Sequence, residues 1–304
     1  MVDMSVDIAG LCLRNPVMLA SGTFGHGAEY AGWLDFTRIG GVVTKTITMS
    51  PRAGNRPPRT VETPAGMLNS IGLQNPGLEG FIAEKLPALK DLPTAVVVSI
   101  AGTSVEEFAE MARRLDGLPG VHALELNISS PNMKDGGMLF GCSPRAAHDV
   151  TAAVKRAVRT PLIVKLTPNV TDIAEIAAAV EEGGADAVAL INTLLGMAVD
   201  ARTRRPILGN VTGGLSGPAI KPVALAMTWR VARRVRIPVV GMGGISTARD
   251  AVEFLIVGAS AVQVGTATFI HPTCALEVAE GIEAYCREAG VSRVQEIVGT
   301  LKAE

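Results

Sequence analysis

Cysteine is scarce and scattered. The four in 304 residues, Cys12, Cys142, Cys274 and Cys286, include no CxxC pair, so neither a disulfide framework nor a zinc or iron–sulfur site built from this chain alone is expected. The four histidines, His26, His122, His148 and His271, show no ligand spacing, and no metal is assigned. Charge of one sign is also lacking: 28 Lys+Arg against 29 Asp+Glu leave a net charge of −1, with no field to draw nucleic acid or anionic lipid. The longest apolar runs, such as residues 94–101 (TAVVVSIA), fall well short of the roughly 18 residues a membrane span needs. The opening MVDMSVDIAGLCLRNP carries Asp3 and Asp7 where a secretory signal needs positive charge and then an unbroken apolar stretch. A cytoplasmic protein with reduced thiols is expected. No linker, low-complexity segment or internal repeat divides the chain, so 1–304 reads as a single domain.

What the chain does have is apolar sequence in short packets. Hydrophobic residues make up 48% and charged residues 19%, which fits a large core of fully covered strands. Eight packets recur: 16–22, 41–46, 94–100, 123–129, 162–168, 187–193, 238–244 and 261–267. Between most of them lie stretches with helical apolar spacing, at 105–115, 146–158, 173–182 and 222–235. Eight alternating strand and helix units predict a (β/α)8 barrel, whose closure removes both sheet edges. The competing open doubly wound sheet lacks a GxGxxG after its first strand.

Catalytic groups of such a barrel project from the carboxyl ends of its strands, and here those ends are polar or glycine: Thr44-Lys45-Thr46, Asn127 to Asn132, Lys165, and Asn192-Thr193. Gly243-Gly244 and Gly265-Thr266 close the last two strands, where bare backbone and a following helix N-terminus suit a phosphate. The competing reading of each pair is a tight turn. Lys45 and Lys165 lie in otherwise apolar strands, and each needs an anionic ligand or a structural ion pair with Glu62 or Glu125. Asn69, Asn127, Asn132 and Asn192 offer donors and acceptors for a flat heterocycle, or else plain turn chemistry. Arg230, Arg233, Arg234 and Arg236 read as a solvated helix end, and Met67, Met133, Met138 and Met197 as gap fillers near loops.

Eight segments carry a resemblance: ASGTFG (20–25), TKT (44–46), NSIGLQNPG (69–77), NISSPN (127–132), VKLTPN (164–169), INTLLG (191–196), GGLSG (213–217) and GMGGI (241–245). In this order, over almost the whole chain, they resemble the dihydroorotate dehydrogenase family. ASGTFG and the NVTD after VKLTP, together with a start directly at the barrel, are similar to the catalytic subunit of its NAD-linked class 1B branch. The resemblance implies FMN at the barrel mouth and oxidation of dihydroorotate to orotate in pyrimidine (UMP) biosynthesis. It further implies a homodimer at the core of a heterotetramer, with electrons passing to a partner subunit that carries FAD and a [2Fe–2S] cluster and then to NAD.

Carried over by position, Ser21, Lys45, Thr46, Ser99, Asn127, Lys165, Ile191, Gly217, Gly243, Gly244, Gly265 and Thr266 match FMN contacts. Lys45, Asn69, Ser70, Ile71, Gly72, Leu73, Asn127, Asn132, Asn192 and Thr193 match substrate contacts. The family's base lies within NxSxPN, where class 1 enzymes normally carry Cys and this chain has Ser130, as class 2 does. A serine hydroxyl needs help that a thiol does not. Three accounts stand: Ser130 is an assisted natural base, it replaces a natural cysteine, or Cys142 acts from the loop. Segment 133–144 reads as a lid over the substrate. The competing functions are a fumarate-reducing class 1A-like enzyme and a non-redox phosphate-binding barrel such as an aldolase or isomerase.

Overall fold

In the computed structural model, which describes residues 2–30, 32–130 and 140–302, the eight apolar packets become eight parallel strands. These are β1 (Val17–Leu19), β2 (Gly41–Val43), β3 (Ala95–Ile100), β4 (Ala123–Asn127), β5 (Leu162–Lys165), β6 (Ala187–Leu190), β7 (Val239–Met242) and β8 (Ala261–Val264). They follow one another around a closed ring in which β8 pairs with β1, so the barrel expectation holds and no edge is left unpaired. Every strand is shorter than its apolar packet. At most strand ends the closing residues of the packet leave the ladder for the mouth, while Asn127 and Lys165 are the last paired residues of β4 and β5.

Helices cover the ring from outside. The anticipated ones lie at α1 (Val105–Leu115), α2 (Pro144–Ala157), α3 (Ile173–Glu182) and α4 (Lys221–Ala232), joined by α5 (Ala248–Ile256) and α6 (Cys274–Glu288). In α1 the Ser104 hydroxyl accepts from the Glu107 N–H, and Phe108, Met111, Ala112 and Leu115 are buried at helical spacing. Each inward stripe meets the outward side chains of the strands, and alternate strand residues fill the lumen. An N-terminal hairpin pairs Val6–Ile8 with Leu11–Leu13. Its buried Leu13 lies 3.5 Å from a Cβ placed on Gly41, at the start of β2, so this hairpin covers the end of the barrel opposite the mouth.

A second sheet, which no apolar packet of the sequence marks, accompanies the barrel. Strands Thr60–Thr63, Gly66–Asn69, Thr212–Ser216 and Leu194–Met197 pair antiparallel in that order and sit beside the mouth. Leu195, Met197 and Val199 of this excursion are exposed, so Met197 fills no gap, while Met67 lines the cavity described below. Met133 and Met138 lie outside the described residues. Arg230 reaches Asp172 at 3.0 Å and Arg233 stacks on Trp229 at 4.9 Å, consistent with a solvated helix end. Among the described residues no helix is long and apolar enough to cross a membrane, and no group of His, Cys, Asp and Glu could hold a metal.

The start of α5 is held by Asp250. Its carboxylate accepts from Ser246, Thr247 and Lys221. Burial works to raise its pKa, but these hydrogen bonds prevail and bring it from 3.8 to about 2. A depressed carboxylate stabilises the fold above its ordinary pKa and loses that contribution as pH falls through the folded value. About 2 kcal/mol should therefore disappear between pH 4 and 2. Chemical denaturation across this range should show the loss, and Asp250→Asn should flatten it.

Candidate active site

The mouth opens into a cavity of about 1070 Å³. Its walls come from the strand ends, from the antiparallel sheet through Thr60–Gly66 and Ser216, and from the turn after β8.

A chain of hydroxyls runs from the wall into the lumen. Ser21 Oγ lies 3.2 Å from Thr46 Oγ1, which lies 2.9 Å from Ser99 Oγ. Asn127 Nδ2 donates to Thr46 at 3.0 Å, and Ser99 donates to Glu125 Oε1 at 3.0 Å. Because the carboxylate accepts only, the protons are ordered: Asn127 gives to Thr46, Thr46 to Ser99 and Ser99 to Glu125. Ser21, Thr46 and Asn127 line the cavity, whereas Ser99 is fully buried and set back from its surface. The position carried over as a cofactor contact thus sits one step behind, as a relay between Thr46 and Glu125.

The two lysines differ. Lys165 Nζ lies 3.9 Å from Glu125 Oε1, with both side chains almost sealed from solvent. The ion-pair reading is therefore realised at Lys165, which also lines the cavity. Among the described residues Lys45 has no carboxylate within 4 Å, and Glu62 lines the same cavity without pairing with it. Burial, and then the Lys165 cation, push the Lys45 pKa below its ordinary 10.5. The floor holds two cations and one anion, an excess suited to an anionic ligand.

Amides brace the far wall. Asn127 Oδ1 accepts from the Ser129 N–H and hydroxyl, and Asn192 Nδ2 donates to Ser129 Oγ at 2.9 Å. Asn192 Oδ1 accepts from the Thr193 N–H, and Asn169 donates to the Thr193 carbonyl. Asn127, Asn192, Thr193 and Ser130 all line the cavity, and Ser130 is buried. Ser129, which ties the end of β4 to that of β6, and Asn169, which ties the end of β5 to that of β6, carried no site assignment of their own from sequence. Their only signal was membership of the NISSPN and VKLTPN segments.

The Asn69–Leu73 loop presents Asn69, Ile71, Gly72 and Leu73 to the cavity. Ser70 is turned away: its N–H donates to the Arg59 carbonyl and its own carbonyl accepts from Asn55, which fixes it on the loop's rear face. Asn132 and most of the 133–144 segment lie outside the described residues. Cys142 is exposed, is not part of the cavity wall, and has its thiol 3.8 Å from the Asn169 carbonyl. What desolvation there is raises its pKa, and the thiol does not reach the cavity wall from which a base would act.

The opposite end of the cavity is lined by Ile191, Gly217, Gly243, Gly244, Gly265 and Thr266. Gly244 has φ +76°, and a Cβ there would sit 2.8 Å from the Gly217 carbonyl; Gly217, at φ +95°, would place one 2.7 Å from Gly66 Cα. Backbone therefore closes on the cavity where no side chain fits. The helix contribution anticipated here is reduced, because the Ser246 and Thr247 N–H groups before α5 are already taken by Asp250. Thr266 Oγ1 donates to Ser216 Oγ at 2.8 Å and ties this end to the second sheet.

Gln263, on β8, is the further residue that the sequence did not flag. It lines the cavity, its Nε2 lies 3.5 Å from Glu125 Oε2 across the lumen, and its buried Oε1 has no partner among the described residues. A buried acceptor left open beside a side-chain-free backbone cradle and a cationic floor fits a phosphorylated ligand whose ring carries N–H donors.

A closed parallel barrel with cations, ordered amides and a glycine cradle gathered at its carboxyl-end mouth is the site of a (β/α)8 enzyme. The sequence profile of the dihydroorotate dehydrogenase family matches residues 3–285, and the chain belongs to that family. It is 57% identical over 300 residues, 99% of each chain, to a protein of Pelobacter propionicus named dihydroorotate dehydrogenase B (NAD(+)), catalytic subunit. It is 56% identical over 299 residues, 98% of each chain, to a protein of the same name from Geotalea uraniireducens. Among solved structures, dihydroorotate dehydrogenase of Eimeria tenella in complex with ferulenol is similar at 25% identity with a TM-score of 0.81, over 98% of this chain and 88% of that one.

Proposed function

We propose that the chain, as one FMN-binding barrel over 1–304, oxidises (S)-dihydroorotate to orotate in pyrimidine biosynthesis in the cytoplasm. The observation that carries this reading is the pairing, in one cavity, of a cationic floor and amide wall with a glycine cradle at the other end. FMN supplies a hydride acceptor when bound there. Gly217, Gly243, Gly244, Gly265 and Thr266 would hold its phosphate, while Ser21, Thr46, Asn127 and Lys165 would meet its ring. Lys45 would pair with the substrate carboxylate. Asn69, Asn127, Asn192 and Thr193 would orient the pyrimidine, with Ile71, Gly72 and Leu73 closing over it. Ser130 would take the C5 proton.

Two further parts of the reading concern partners. Relatives bear the words NAD(+) and catalytic subunit in their names, which supports a separate subunit, with FAD and [2Fe–2S], that passes electrons to NAD. Phe269 and Ile270, on the cavity rim and 55% and 85% exposed, supply an apolar surface for it beside the cavity. The exposed Leu195, Met197, Val199 and Val211 of the excursion suit a second copy of the chain.

The test is spectroscopic. Purified protein should carry bound flavin, and anaerobic dihydroorotate should bleach it with formation of one orotate per flavin. Colourless protein that gains no flavin on reconstitution would leave a non-redox barrel standing instead. Reoxidation by fumarate without the partner would favour the class 1A-like reading.

A further inference from the structure

Glu125 is the carboxylate that the reaction itself does not call for. It projects from the middle of β4 into the lumen, is fully buried, and lies beneath the cavity rather than on its wall. Three strands meet it: β3 through the Ser99 hydroxyl at 3.0 Å, β5 through Lys165 Nζ at 3.9 Å, and β8 through Gln263 Nε2 at 3.5 Å. Around the ring β8 stands opposite β4, so the carboxylate is gripped from both sides of the barrel.

A buried ion is costly, and an ion pair stabilises a fold little better than packed apolar side chains would. The core therefore does not need this charge. Its consequence is felt above it, where Glu125 offsets one of the two lysine cations and lowers the net positive field in the cavity from two charges to one. It also fixes three groups that reach the wall: the ammonium of Lys165, the amide orientation of Gln263, and, through Ser99, the hydroxyl of Thr46.

We propose that Glu125 is a positioning residue that sets the electron affinity of the ring bound in the cavity, by neutralising Lys165 from below and ordering the Ser99–Thr46 and Gln263 donors. The inference rests on the flavin reading above. A ring that gains electrons gains negative charge, and a floor one unit more positive holds it reduced more strongly. Glu125 thus keeps the reduced ring able to give its electrons up.

The experiment uses flavin-loaded protein and sulfite, an anion whose adduct with oxidised flavin bleaches the visible band and strengthens with nearby positive charge. Glu125→Gln should bind sulfite about tenfold or more tightly than the parent, the scale set by one charge inside a protein. Its flavin should be reduced at a higher potential in dye-coupled titration. Glu125→Asp, which keeps the charge, should return sulfite affinity to within about threefold. Unchanged affinity and potential in Glu125→Gln, or equal shifts in Gln and Asp, would overturn the proposal.

If Glu125→Gln alone does not fold, because Lys165 is left buried without its partner, the double variant Glu125→Gln/Lys165→Met removes both charges. It should bind sulfite no more tightly than the parent, and tighter binding would overturn the proposal. Parent protein that takes up no flavin would sink the functional reading and this inference together. Flavin that dihydroorotate bleaches normally, with sulfite affinity indifferent to Glu125, would sink this inference alone.

Discussion

Replacing Ser130 with alanine should lower the rate at which anaerobic dihydroorotate bleaches the flavin by about a thousandfold, the middle of the range for removing a general base. Flavin content should stay at the parent level and orotate should still bind within a few-fold. Ser130 lies on the cavity wall, one residue beyond the Ser129 that the Asn127 and Asn192 amides clasp. That clasp holds the backbone entering Ser130, so the side chain can be truncated without disturbing the donors that grip the ring. Cys142→Ala should change the rate less than twofold, because its thiol is off the cavity wall and hydrogen-bonded to the Asn169 carbonyl. A reversal of these two results, with Ser130→Ala active and Cys142→Ala dead, would move the base to the loop. Ser130→Cys gives a second check: a thiol at this position should sustain turnover, with its pH dependence following a group near 8.5 rather than a hydroxyl.

How far the sequence anticipated this arrangement depends on the reach of each interaction. The eight barrel strands were legible because each is covered by helices on one face and by lumen side chains on the other, which leaves an unbroken apolar packet. Their ends were legible because polar residues at the close of an apolar packet have no role in the core. The antiparallel sheet was not, since the strand Thr212–Ser216 (TGGLS) contains two glycines and pairs with Gly66–Asn69 almost 150 residues away. No local periodicity encodes such a pairing. Ser99 and Ser70 show the complementary limit. Both fall in the right segments, but where each hydroxyl lies depends on distant contacts: Glu125 accepts from the Ser99 hydroxyl, and Arg59 and Asn55 hold the Ser70 backbone, with its buried hydroxyl left without a partner among the described residues. Glu125 was visible in the sequence only as a counter-ion candidate, and that the same carboxylate also holds Ser99 and Gln263 follows from barrel closure alone.

Lys45 gives the second large effect. Its ammonium lines the cavity, and no carboxylate of the described residues pairs with it, so a ligand carboxylate would be its counter-charge. Lys45→Met should weaken orotate binding about a hundredfold, the scale of losing a charge-assisted hydrogen bond in a buried site. The pH dependence separates this role from simple packing. Burial and the neighbouring Lys165 cation hold the free protein's Lys45 below its ordinary 10.5, and a bound carboxylate favours the protonated form. Affinity should therefore be constant while Lys45 is charged, then fall by up to tenfold per pH unit as pH rises through the lowered value, with proton uptake on binding in that range. Calorimetric titration of orotate at pH values rising from neutrality toward the ordinary 10.5 should show that fall in the parent, and the Lys45→Met protein should show none. An equally steep fall in both would mean that another group supplies the positive charge the ligand meets.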